Sequence, residues 1–173
     1  MGIEVLKVGY LETNCYILKQ DNKCLIIDPG DDYELIKNKV TNFEVLAILI
    51  THGHFDHVGA LEKLKSIYDV EVLSYENVCQ RNYTIGPFSF EIIFNPGHSE
   101  DSISFYFRKQ NIMFVGDFVF KNTIGRCDLE GGNIKQMYKS IDSLKTYSNT
   151  VLYPGHGDAT NIEYERINNP YFN

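Results

Sequence analysis

The sequence predicts an α+β chain in which two β-sheets pack against each other with helices on the outside. Strand-like segments come in runs with helical segments interspersed, rather than in strict alternation. One apolar run, Val45 to Ile50, is continuous, as a strand buried on both faces should be. The 12 Tyr and 11 Phe, with no Trp, supply ring area suited to packed sheet faces. At 173 residues the chain has the size of one ordinary domain, so 1–173 is expected to be a single domain whose core needs no disulfide.

Ile3 to Val8, Cys15 to Lys19 and Cys24 to Ile27 read as strands, the third closed by Asp28-Pro29-Gly30. A turn at Asp21-Asn22 pairs Cys24 with Lys19 and sets Cys15 opposite Asp28, a register that disfavours a bridge between the two cysteines. Asp31-Asp32 places carboxylates at the positive end of a helix from Tyr33 to Val40. The Val45 to Ile50 strand then runs into a histidine cluster. Val58, Leu61, Leu64, Ile67 and Tyr68 recur at helical spacing, which predicts a helix from Val58 to Tyr68 with Asp56 and His57 at its mouth. Strands follow at Val70 to Ser74, Ile92 to Phe94, Ile103 to Phe107 and Ile112 to Val115, the last two paired through the turn Arg108 to Asn111. Ile134 to Tyr147 carries a helical pattern, Val151 to Tyr153 is a last strand, and a final helix runs from about Asn161 to Ile167.

Composition narrows the function. The formal net charge is −7 and the 16 Lys and Arg are scattered, which argues against nucleic-acid binding. Bound divalent cations would still attract an anionic substrate locally. No apolar run approaches the ~20 residues of a membrane span and there is no signal segment, so no membrane partner is expected. Four cysteines without a CxxC pair fit a reduced, cytoplasmic protein. Monomer and homo-oligomer both stay open.

All five histidines lie in three short segments. The densest is Thr51-His52-Gly53-His54-Phe55-Asp56-His57; the others are Pro96-Gly97-His98 and Pro154-Gly155-His156-Gly157, with Gly116-Asp117 between them in sequence. His52 and His54, two apart on extended backbone, point the same way and can grip one ion, while Asp56 and His57 face a second. His98, Asp117 and His156 each follow a strand beside Gly or Pro, where the backbone can turn a side chain into a cleft. Imidazoles and carboxylates without thiolate fit zinc, with iron or manganese also compatible. Seven candidate ligands are too many for one tetrahedral ion and suit a pair sharing a carboxylate. Such a pair, roughly 3.5 to 4 Å apart, lowers the pKa of a bridging water to about 7 and implies hydrolysis without a Ser or Cys nucleophile.

These segments, in this order, resemble the metallo-β-lactamase superfamily, over nearly the whole chain. The resemblance implies an αββα four-layer sandwich with two mixed β-sheets flanked by helices. Gly116-Asp117, Ile124-Gly125-Arg126-Cys127-Asp128, Gly131-Gly132 and the C-terminal Asn169-Pro170-Tyr171-Phe172 are similar to the glyoxalase II (hydroxyacylglutathione hydrolase) branch. By that resemblance His52, His54 and His98 hold one metal, Asp56, His57 and His156 the other, and Asp117 bridges. Asp56 and Asp117 are then the catalytic carboxylates, acting with a metal-bridging hydroxide on a small acyl thioester such as S-lactoylglutathione.

Arg126 matches a basic substrate-binding position, but Asp128 stands where that branch has a tyrosine, and the chain stops where its C-terminal helical domain would begin. Thioester hydrolysis survives these departures better than glutathione specificity. The same scaffold also accommodates a mononuclear iron persulfide dioxygenase, a lactonase or phosphodiesterase, and a non-enzymatic metal-binding module. Asp28 is either an outer carboxylate orienting a ligand histidine or part of a structural turn. Cys127, Tyr153 and the aromatic group Tyr106, Phe107, Phe118 and Phe120 read as packing.

Overall fold

Alternate side chains along the long strands enter different cores, and this divides the chain into layers. The computed structural model describes residues 1–172. Its first half contains β1 (Gly2–Val8), β2 (Thr13–Gln20), β3 (Lys23–Ile27), α1 (Tyr33–Val40), β4 (Glu44–Leu49), α2 (Phe55–Val58), α3 (Leu61–Tyr68) and β5 (Glu71–Leu73). The second half contains β6 (Asn82–Ile85), β7 (Phe88–Phe94), β8 (Ile103–Phe107), β9 (Ile112–Gly116), a small hairpin of β10 (Val119–Phe120) and β11 (Thr123–Ile124), α4 (Ile134–Leu144), β12 (Val151–Pro154), β13 (Thr160–Asn161), α5 (Ile162–Asn168) and a single 3-10 turn, Pro170–Phe172.

One sheet runs β1-β2-β3-β4-β5 and the other β13-β12-β9-β8-β7-β6. Both are mixed: β3, β4 and β5 are parallel neighbours, and β12 lies parallel to β9 within an otherwise antiparallel sheet. Tyr16, Leu18, Leu25, Ile27 and Leu49 from the first sheet meet Phe88, Phe105, Phe107 and Phe114 from the second in a central core. The intervening residues Ile17, Cys24, Ile26 and Ile48 face outward onto Ile36 and Val40 of α1 and Leu64 of α3. On the other side Met113, Val115 and Leu152 pack on Met137 and Ile141 of α4 and Ile162 of α5. The result is the expected αββα order. It also aligns the strand ends: β3 and β4 deliver their C-termini together, and β7, β9 and β12, all running one way, deliver theirs opposite.

Several local expectations need correction. The helix expected from Val58 to Tyr68 is two helices, and Asp56 and His57 lie within the first of them rather than ahead of a helix. At the break the Ala60 N–H leaves the helical pattern and donates to Pro29 O at 2.9 Å, and the Gly30 carbonyl oxygen packs so close to Gly59 that a Cβ there would sit 2.2 Å from it. Asp32 sits at the start of α1 in the left-handed region (φ 52°) and makes no side-chain cap; its carboxylate accepts from the Gly9 N–H at 2.9 Å. The sequence reading missed β6, the β10–β11 hairpin and β13, each four residues or fewer and too short for a periodicity to register. Lys19 and Cys24 are partners in the register of the β2–β3 hairpin, and all four cysteines are free. Among the described residues no helix is long and apolar enough to cross a membrane.

Two outcomes follow from this packing. Phe114 is fully buried between the sheets and stacks on Tyr153. Phe114→Ala should therefore cost roughly 3 to 5 kcal/mol of unfolding free energy, read from the urea midpoint at unchanged slope. Burial pushes the Cys15 thiol well up and the Cys24 thiol to about 11, whereas Cys79 is exposed. A thiol reagent at pH 8 should modify Cys79 rapidly and reach Cys15 and Cys24 only after denaturant is added, as intact-mass measurement will show.

Candidate metal centre

The first histidine segment leaves β4 and is fixed by one carboxylate. Asp28, buried and itself in the left-handed region (φ 51°), accepts from Thr51 N at 2.8 Å, from Thr51 Oγ1 at 2.7 Å and from His57 Nδ1 at 3.0 Å. The Thr51 hydroxyl, having donated to Asp28, is left to accept from His52 Nδ1 at 3.2 Å. Asp is among the residues that tolerate this backbone region, and a local strain of this kind persists only where the surroundings over-determine it.

The same logic orients the other rings. His98 Nδ1 donates to the Arg126 carbonyl at 2.7 Å and His156 Nδ1 to the Leu11 carbonyl at 3.1 Å. With Nδ1 committed outward, His52, His57, His98 and His156 turn Nε2 inward. Among the five histidines His54 presents Nδ1, 3.0 Å from His52 Nε2 and 2.9 Å from His98 Nε2. Three nitrogens at such mutual distances, with the protons of two of them spent elsewhere, form a converging donor set.

Opposite them lies a second cluster. Asp56 Oδ2 is 3.1 Å from His156 Nε2 and 3.6 Å from His57 Nε2, and it accepts from Thr13 Oγ1 at 2.9 Å. Asp117 stands between: Oδ1 is 3.4 Å from His57 Nε2, and Oδ2 is 3.7 Å from His98 Nε2 and 3.6 Å from His156 Nε2. Within each of the groups His52-His54-His98, Asp56-His57-His156 and His52-His57-Asp117, the ligand atoms all lie within 4.8 Å of one another. The seven candidate ligands of the sequence therefore come together in one place.

Whether a metal fits is decided by the atoms that lack a partner. His57 Nε2 and Asp117 Oδ1 are buried and make no hydrogen bond. A buried polar atom without a partner is costly, and here two face each other across the site. The charges agree. Burial pushes His52 well below its ordinary value, and the neighbouring histidines push it the same way, leaving a neutral ligand. Burial also presses His57 down, but Asp28 and Asp117 outweigh it and lift it to about 10. Burial works to raise the Asp56 carboxyl and is overcome by His156, His57 and Thr13, which hold it well below the usual carboxylate range. An ion bound here takes the place of a proton between carboxylates.

The loop carrying His156 is held by β2, a link the sequence reading did not find. Asn14 Nδ2 donates to Pro154 O at 2.9 Å and Gly157 O at 3.0 Å, Asn14 N donates to Gly155 O at 2.7 Å, and the Tyr16 hydroxyl also reaches Pro154 O. The available signal was a pair of polar residues, Thr13-Asn14, directly ahead of the apolar run Cys15 to Leu18. Gly155 fits where nothing larger can: a Cβ would lie 2.2 Å from Asp117 Oδ1 and 2.5 Å from His57 Cε1.

The centre opens into a cleft of about 510 Å³ walled by Leu11, Phe55, Phe120 and Leu129, with Arg126 at its edge. Phe120 thus lines the cleft and is not core packing, unlike Phe118, Tyr106 and Phe107, which are buried. Arg126 is exposed and forked onto Asp128, Nε to Oδ1 at 2.7 Å and NH2 to Oδ2 at 2.8 Å, and this partner lowers the Asp128 carboxyl to about 2. Cys127 turns away, its thiol 3.4 Å from the Gly125 carbonyl.

Gly155→Ala should lower zinc affinity by about 10- to 100-fold, the range typical of lost ligand support, because the methyl displaces Asp117 and His57 together. Asp28→Ala should fall in the same range by freeing the His57 ring. Both are measured by competition with a chromogenic chelator, with circular dichroism reporting an intact fold.

Compared with known proteins, the chain matches the model of the Metallo-beta-lactamase superfamily over residues 8–79 and 82–156. It is 33% identical to the probable metallo-hydrolase YqgX of Bacillus subtilis (strain 168), across 97% of this chain and 96% of that one. It is 29% identical to the hydroxyacylglutathione hydrolase GloC of Haemophilus influenzae, across 100% of this chain and 99% of that one. In three dimensions it is similar to the BLEG-1 B3 metallo-beta-lactamase, with a TM-score of 0.95 at 29% identity over 99% of both chains. The layered frame and the histidine segments that it gathers are those of one family, and the chain belongs to the metallo-beta-lactamase superfamily as a metal-dependent hydrolase.

Proposed function

We propose that the chain hydrolyses small acyl thioesters, with S-lactoylglutathione as the reference substrate, using a pair of divalent ions. The observation that carries this reading is the split of the seven side chains into two triplets with Asp117 reaching both, at the floor of a single cleft. The similarity to a hydroxyacylglutathione hydrolase along the whole chain supports the thioester as the bond attacked. His52, His54 and His98 would hold one ion, Asp56, His57 and His156 the other, and Asp117 would be shared. Zinc is the first choice for such ligands, with iron or manganese compatible. When bound, the ions supply a nucleophilic water active near neutral pH and Lewis acidity toward the carbonyl oxygen.

The chain's own groups set the conditions. Asp28, through His57 and Thr51, and the Arg126 carbonyl, through His98, lock the ligand rings in one tautomer and one orientation. Thr13 holds the shared oxygen of Asp56 in place. Leu11, Phe55, Phe120 and Leu129 give the cleft apolar walls that favour an acyl group and displace water from the scissile bond. Cys127 is no rival nucleophile, since burial raises its thiol, with Asp128 adding to the effect, and it faces the Gly125 carbonyl instead of the cleft.

Metal-replete protein should carry two ions per chain and cleave S-lactoylglutathione, and Asp117→Asn should lower kcat by a factor on the order of 100 or more. Thioester cleavage no faster than that of the Asp117→Asn variant defeats the proposal, as does one iron per chain with oxygen uptake on glutathione persulfide. The similarity to a B3 metallo-beta-lactamase favours a second reading, attack on a strained lactam amide, so a chromogenic cephalosporin belongs in the same assay.

A further inference from the structure

We propose that Asp128 masks Arg126, so that the cleft selects thioesters with an uncharged, apolar flank over glutathione conjugates; this rests on the thioester-hydrolase reading above. Arg126 is the only Lys or Arg lining the cleft among the described residues. Its fork already faces both Asp128 oxygens, at 2.7 and 2.8 Å, which uses the donors that would grip an incoming carboxylate and sums the pair to zero charge. A glutathione thioester brings two carboxylates and one ammonium. Apart from any bound ions, it meets no unpaired Lys or Arg side chain in this cleft among the described residues, and to reach Arg126 one of its carboxylates has to displace Asp128.

The rest of the mouth is apolar and unusually bare. Phe55 is 76% exposed, Leu11 46% and Leu129 42%, all on the cleft wall. Beyond Phe55 and Asp56 a smaller pocket of about 180 Å³ continues the surface, edged by Val8 and by Tyr10, which is 98% exposed. Apolar side chains gathered around a catalytic floor gain most when a ligand covers them. The two pockets share Leu11, Phe55 and Asp56, so a ligand can lie across the centre with an apolar group on either side.

Both side chains of the pair are more than half exposed, so the mask is weak and its removal is expected to change affinity severalfold without creating or abolishing binding. Substitution of the Arg126 side chain leaves the backbone carbonyl that orients His98, which separates recognition from ligand support.

The test uses the metal-loaded protein and S-methylglutathione, an uncleavable thioether that keeps both carboxylates, with binding read by calorimetry. Asp128→Asn should tighten binding about 2- to 5-fold, and Arg126→Ala added to Asp128→Asn should return it to the wild-type level. In turnover, Asp128→Asn should lower KM for S-lactoylglutathione relative to that for lactoyl-N-acetylcysteamine, with kcat for both moving little. For the wild type, kcat/KM for hexanoyl-N-acetylcysteamine should exceed that for the lactoyl ester by about tenfold or more, and Leu129→Ser should narrow the gap. Equal S-methylglutathione affinity in wild type and Asp128→Asn overturns the mask, and no preference for the hexanoyl ester overturns the apolar selection. Absence of cleavage of every thioester sinks the hydrolase reading instead, and the calorimetric comparison still decides the mask by itself.

Discussion

A single buried carboxylate organises the first half of the centre. Asp28 receives the Thr51 amide, the Thr51 hydroxyl and the His57 ring, so the end of β3, the end of β4 and the helix α2 are fixed relative to one another by three hydrogen bonds. A buried charge is stable only when its lone pairs are satisfied, and here each bond that satisfies Asp28 also places a chain segment. The close approach of Gly59 to Gly30 belongs to the same arrangement: with the bond from Ala60 N to Pro29 O it seats the end of α2 against the turn that carries Asp28.

The second half rests on backbone carbonyls. Arg126 O and Leu11 O take the protons of His98 and His156, and Asn14 and Tyr16 brace the turn from Pro154 to Gly157. The supports thus differ in kind. The first sheet provides the charged anchor and, from its β1–β2 turn, the Leu11 acceptor, while the Arg126 acceptor comes from the loop after β11; both acceptor loops also build the cleft wall. Recognition and ligand support meet in Arg126, whose backbone steadies a histidine while its side chain takes part in the rim.

Much of this was legible in sequence. The histidine segments, Asp117 and the strands that deliver them were visible because ligand chemistry is concentrated in a few residue types and because Val45 to Ile50 and Ile112 to Val115 are long apolar runs. What escaped notice shares one physical character. The main-chain acceptors of Arg126 and Leu11 carry no residue identity, the bracing by Asn14 spans 140 residues of chain, and the β10–β11 hairpin that puts Phe120 on the cleft is too short for periodicity. Asp28 was visible as a turn residue or an outer carboxylate for a ligand histidine, and the fold brings His57 Nδ1 to 3.0 Å from it.

The distribution of these groups between distant parts of the chain has a mechanical consequence. Asp56 and His156, 100 residues apart, approach to 3.1 Å, and at the same rim the rings of His54 and His98, carried by loops of different sheets, approach to 2.9 Å. Side chains from both halves of the sandwich would hold an ion there, which would then act on the chain as a cross-link closing a long loop. Its binding free energy is then shared with the fold. For this architecture the open edge of the sandwich and the reactive centre are one place, and catalysis occupies the seam that most needs to be sewn shut.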